Sequence, residues 1–135
     1  MLGDTILIGM AGREEAIRPM LDEAIKLFSH SKAHLMPAFE VVYSELVDNL
    51  GCRPYVKTIY VSFSVGTVVV ASVHPFADHF EVALPLEQVV APRVLAPAAH
   101  LKWRDLTTMV SIRHVDDAER AIPLLRQAYE QVAPR

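Results

Sequence analysis

The sequence predicts an α+β domain: a four-stranded antiparallel sheet with two N-terminal helices and a C-terminal helix packed on one of its faces. Three observations lead there. Apolar residues recur at three- and four-residue spacing near both ends of the chain, which is the signature of one-sided helices. From Tyr55 onward the spacing drops to two, the period of a strand buried on one side. Short turn signals rather than long crossovers separate the alternating segments, so neighbouring strands run antiparallel.

Ile17, Met20, Leu21, Ala24, Ile25 and Phe28 form the stripe of the first helix, with Pro19 near its first turn, where the missing N–H costs little. Ser29-His30-Ser31-Lys32 breaks it. Pro37 opens the second helix, which turns Phe39, Val42, Leu46 and Leu50 inward and stops at Gly51. Ile59, Val61 and Phe63 share one face of the first strand; Thr58, Tyr60, Ser62 and Ser64 share the other. Gly66 turns the chain into the β-branched run 67–74, and residues 75–78 turn it again into a third strand with Phe80, Val82 and Leu84 alternating. These three strands form a meander. Residues 85–104 contain Pro85, Pro92 and Pro97 and no period, which predicts a long loop. Leu106, Thr108, Val110 and Ile112 make the fourth strand. Asp116 and Glu119 then stand at capping-box-like spacing before a helix whose apolar face is Leu124, Leu125, Ala128, Tyr129 and Val132. Pro123 lies inside that pattern, so the helix either kinks there or starts there.

The chain of 135 residues fits one domain, able to bury roughly two-thirds of its unfolded surface without disulfides or a structural metal. An apolar share of 52% against 21% charged residues is that of a globular rather than a disordered chain. A net charge of −3 provides no global attraction to nucleic acid or anionic lipid. Cys52 is the only cysteine, so neither an intrachain disulfide nor a multi-thiolate metal cluster can form. The start, Met1-Leu2-Gly3-Asp4, lacks the positive charge of a secretory leader, and the apolar run 5–10 is too short to span a bilayer. The expected location is the cytoplasm, with no membrane partner and no cofactor.

Lys57-Thr58-Ile59-Tyr60-Val61-Ser62-Phe63, Val73-His74-Pro75, Pro92-Arg93, Val110-Ser111-Ile112-Arg113 and Ala128-Tyr129 together resemble an uncharacterised bacterial family of small α+β domains, domain-of-unknown-function family 5655. The resemblance covers roughly residues 37–133 and leaves 1–36 as an N-terminal extension. It rests on the order and spacing of these segments rather than on one diagnostic motif. It implies a domain found alone or beside zinc-ribbon-like and nuclease-like modules, and so points to nucleic-acid-linked work by association only. The chain departs from the family pattern at Thr108-Met109, where a His-Arg pair would enter the fourth strand.

Alternation assigns Tyr60, Ser62, Val68, Val70, Ser72, His74, His79, Glu81, Met109 and Arg113 to the sheet face away from the helices. Such a face is too apolar for full solvation and too polar for a core, so it predicts association through Tyr60, Ser62, His74, His79, Glu81 and Arg113. A homodimer is the leading partner, ahead of another protein or a small molecule. A solvated face under the Pro-rich loop is the plainer alternative. His74 and His79 flank the turn at 75–78 and Glu81 follows on the same side, an inventory suited to a catalytic metal. A polar strand end facing water explains the same residues. His30, His34, His100 and His114 fall in loops or at element ends, where solvation accounts for them.

Lys102-Trp103-Arg104, with Arg93, is the one basic cluster interleaved with an aromatic ring, and a loop tryptophan either stacks on a base or plugs a core edge. Cys52 follows a helix C-terminus, whose negative pole disfavours a thiolate. Ser62, Ser64 and Ser72 sit within strands rather than on an exposed elbow. Gly9 and Gly12 have phosphate-loop spacing, without the lysine and hydroxyl residue that loop needs. The sequence therefore predicts a non-enzymatic binding module that self-associates. A nucleic-acid-linked accessory protein is the rival, and a metal-dependent enzyme the weaker alternative.

Overall fold

The computed structural model describes residues 26 and 28, residues 30–97 and residues 106–132. The first predicted helix lies outside them apart from Lys26 and Phe28, as do Gly9 and Gly12.

Among the described residues six strands form one antiparallel sheet: β1 (Arg53–Val56), β2 (Val61–Val65), β3 (Val68–Pro75), β4 (Phe80–Leu84), β5 (Ala96–Pro97) and β6 (Thr108–Ile112). Their order across the sheet is β1-β2-β3-β4-β6-β5. The meander and its fourth neighbour stand as the alternation predicts, and the sheet is wider by one strand at each edge. Both additional strands contain a proline, Pro54 and Pro97, which cannot donate to a ladder and is tolerated at an edge.

Two α-helices occur among the described residues, α1 (Met36–Tyr43) and α2 (Val115–Val132). A 3-10 segment, His30–Leu35, leads into α1, and a π turn, Ser44–Asn49, continues it. Pro37 sits in the first turn of α1. The helical run ends at Gly51, whose φ of 73° needs a residue without Cβ. α2 is continuous through Pro123, whose exposed ring faces away from the core.

The helices cover one face of the sheet. Phe39, Val42 and Leu46 from the first helical run and Ala118, Ala121, Leu125 and Ala128 from α2 share one buried cluster with Val61, Phe63, Val73, Phe80, Val82, Val110 and Ile112. Phe28 anchors the centre, with its ring 4.6 Å from that of Phe39 and 5.9 Å, edge-on, from that of Phe80. Each such ring contributes roughly 2–3 kcal/mol by leaving water. Tyr43 joins the cluster through Phe63, and its buried phenol is pushed up to about 12 by desolvation, with Asp48 adding to the effect. No helix among the described residues is long and apolar enough to cross a membrane.

Three facing assignments are corrected, at Ile59, Val68 and Val70. Ile59 is 70% exposed rather than inward, because Lys57 N–H donates to the Tyr60 carbonyl at 2.8 Å and closes the β1–β2 hairpin around residues 58–59. Val70 is buried in the core cluster rather than on the far face. The β2–β3 register slips between Phe63 and Ser64, so Phe63 opposes Ala71 while Ser64 opposes Val69. That bulge adds one residue to β3 and reverses parity before it, which also pairs Val68 with Val65.

Candidate functional site

The far face of the sheet is built from two rows across the strands. Register aligns Tyr55, Ser62, Ser72, Ala83, Met109 and Ala96 in one, and His74, Glu81 and Ser111 in the other. The middle of the first row is small: Ser62, Ser72 and Ala83 are all buried, and its large side chains, Tyr55 and Met109, flank them. Serine and alanine on this face allow larger neighbours to fold over them.

Those neighbours are aromatic. The Tyr60 ring stacks on His74 at 5.2 Å, and the Phe76 ring stacks on His79 at 5.0 Å. Beneath them the polar groups are paired. Ser72 Oγ lies 2.6 Å from His74 Nε2. His79 Nδ1–H donates to Asp78 Oδ1 at 2.7 Å, while His79 Nε2 lies 3.3 Å from Glu81 Oε2. Arg113 Nη2 approaches Asp78 Oδ2 at 3.9 Å. Asp78 is held below the usual carboxylate range, first by the His79 hydrogen bond and then by the Arg113 charge.

Of the predicted face residues, Tyr60, Ser62, Ser72, His74, His79 and Glu81 are brought together, with Met109 half-buried and Arg113 exposed at its border. Val68 and Val70 are not part of it, for the register reason given above. Phe76, Asp78 and Tyr55 complete it. Asp78 and Phe76 belong to the turn whose flanks carry the histidines, and the register of that turn was the missing signal.

His74 and His79 do not oppose one another. Pro75 pairs with Phe80 and Phe76 N–H donates to the His79 carbonyl at 2.8 Å, so the loop proper is Ala77-Asp78 and His74 faces Glu81. The ring nitrogens of His79 meet Asp78 and Glu81, and Nε2 of His74 meets Ser72, instead of converging on one point. Among the described residues no three His, Cys, Asp or Glu side chains are grouped to hold a metal. The candidate set His74, His79 and Glu81 is therefore corrected to two hydrogen-bonded pairs.

The side chains weighed as nucleophiles, Ser62, Ser64, Ser72 and Cys52, are all buried. Ser72 is fully buried. Cys52 is 2% exposed, with its thiol pushed up to about 11 by burial. Arg93 is exposed in the loop before β5. Its predicted companions Lys102, Trp103 and Arg104 lie outside the described residues.

No family model matches the chain, and no curated protein or solved structure matches it either.

Proposed function

We propose that the protein is a non-enzymatic binding module that self-associates through the outer face of its sheet. The observation that carries this reading is a pair of exposed rings, Tyr55 at 36% and Phe76 at 38%, bordering a floor whose polar groups bond to one another. A floor satisfied in this way needs no ligand to complete it, and the rings are the surface that gains most by leaving water. Charges of both signs stand around it, Arg53 and Arg113 against Asp78. A two-fold axis can set such a mixed border against itself, since the same patch serves both copies. The fully buried Ser72 supports a contact surface over an acyl-transfer site.

Sedimentation equilibrium on the full chain tests the proposal. The expected result is twice the chain mass with a dissociation constant of about 10 µM, lost in the double variant Tyr55→Ser, Phe76→Ser. A wild-type chain that stays at monomer mass at about 100 µM overturns it.

A further inference from the structure

A second surface lies at the opposite edge of the sheet from β1. β5 pairs only Ala96 with Met109 and Pro97 with Thr108, so beyond Met109 the outer side of β6 has no strand among the described residues. The gap is a groove of about 300 Å³ between that edge, the loop carrying Arg93, and the first turns of α2. Its lining is mixed: Val94, Met109 and Val110 are apolar, and Arg93, Arg120 and Asp117 carry charge.

The charges do not cancel. Asp117 is directed at its own helix: Oδ2 accepts from the backbone N–H groups of Arg113 and His114 at 3.0 and 3.1 Å, and Oδ1 accepts from Arg120 Nη2 at 2.6 Å. Arg120 has spent one donor there and keeps the rest of its fork at an exposed position. Arg93 has no carboxylate partner among the described residues. Two guanidinium groups and one carboxylate in the same lining leave a single positive charge, which one monoanion neutralises and a phosphate dianion exceeds. A guanidinium fork matches the two oxygens of a carboxylate, and the wall of Val94, Met109 and Val110 matches an apolar body attached to it.

We infer that this groove binds a small organic acid, a monocarboxylate with a short apolar body, between Arg93 and Arg120. Ala96, Met109 and Ser111 border both surfaces, but Tyr55 and Phe76 lie outside the groove lining, so the variants that test the two proposals do not overlap and the proposals fail separately.

The test uses the full ¹⁵N-labelled chain titrated with benzoate and with benzamide, which share a shape and differ in charge. Benzoate is expected to give saturable amide shifts at Val94, Val110 and Arg120 with a dissociation constant of about 1 mM, in keeping with nine heavy atoms. Benzamide is expected to bind at least about tenfold more weakly, and Arg93→Ala and Arg120→Ala each to weaken benzoate about fivefold or more. Both arginines are exposed, and an unchanged spectrum elsewhere verifies the fold of each variant. The inference is overturned by the absence of saturable shifts, by equal binding of benzamide, or by full affinity in Arg93→Ala. Tighter binding of inorganic phosphate or of a single-stranded oligonucleotide at the same amides overturns it as well.

Discussion

Arg126 Nε–H donates to Glu45 Oε2 at 2.8 Å, joining the outer side of α2 to a carboxylate that is almost wholly buried in the π turn after α1. The second oxygen of Glu45 accepts from Asn49 Nδ2 at 2.7 Å, one helical turn on. A buried carboxylate is tolerable only with such partners. The pair thus fixes how the two helices cross above the sheet.

Removing Arg126 leaves that carboxylate with Asn49 alone, so Arg126→Ala is expected to destabilise the fold by about 2 kcal/mol at neutral pH. Glu45 is held below its ordinary range, chiefly by the Arg126 hydrogen bond. A depressed folded-state value contributes stability that is complete above the unfolded-state value and is lost as pH falls through the folded one. The difference between wild type and Arg126→Ala should therefore be full at pH 7 and shrink below about pH 4. Urea unfolding at the two pH values measures it, and a difference independent of pH refutes the pairing.

The N-terminus of α2 depends on Asp117. The capping-box spacing points to Asp116 and Glu119, yet the carboxylate that accepts the backbone N–H groups of Arg113 and His114 is one residue further on. These bonds, led by the one from Arg113, lower the Asp117 carboxyl, so its contribution is present above the ordinary aspartate range and fades as pH falls through the depressed value. Asp117→Ala is expected to cost about 1 kcal/mol at pH 7, and Asp116→Ala less than about half of that. Chemical denaturation of both variants decides between the two positions, and the reverse ranking excludes Asp117 as the cap.

Why one helix start was misplaced by two residues while four strands were legible has a physical answer. Val61, Phe63, Val73, Val82, Val110 and Ile112 alternate because burial under a helix imposes a period of two, and that constraint is written along the chain. The cap is set by where Arg113 and His114 leave the sheet, a tertiary fact with no periodic trace. β1 and β5 went unread because Pro54 and Pro97 argue locally against a strand and only a neighbouring edge makes room for them. The bulge at Phe63/Ser64 has no glycine to announce it, so strict alternation carried Val68 and Val70 to the wrong face. The polar face suffered less. Its histidines and glutamate were legible as neighbours, and only the hairpin register separated a metal-like cluster from two hydrogen-bonded pairs.

Pro123 offers a test of helix continuity. It lies inside the 18 residues of α2, where its ring removes a backbone donor and crowds the carbonyl one turn earlier, at Glu119. Its exposed side chain contributes no core packing, so little is lost with it. Pro123→Ala is expected to raise stability by about 1 kcal/mol, the repaired helix outweighing the greater freedom of the unfolded chain. A thermal melt should rise by about 4 °C. A lower melting temperature would mean that the fixed backbone of Pro123 stabilises the fold more than its missing donor costs.

Cys52 makes the junction between the first helical run and β1 accessible to measurement. Its N–H donates to the Leu46 carbonyl at 2.8 Å, and its side chain is buried in the core cluster. Burial lifts the thiol from 9.0 to about 11, so at pH 8 the thiolate fraction falls about a hundredfold, before any steric exclusion of reagent is counted. The native chain should therefore react with a disulfide reagent at least about a hundredfold more slowly than the chain in urea. Reaction in the native state then requires the junction to open, and its rate reads the free energy of that opening. If Arg126→Ala loosens the helix pair as argued, native Cys52 should react faster in that variant. An unchanged rate would place the opening at the β1–β2 hairpin instead.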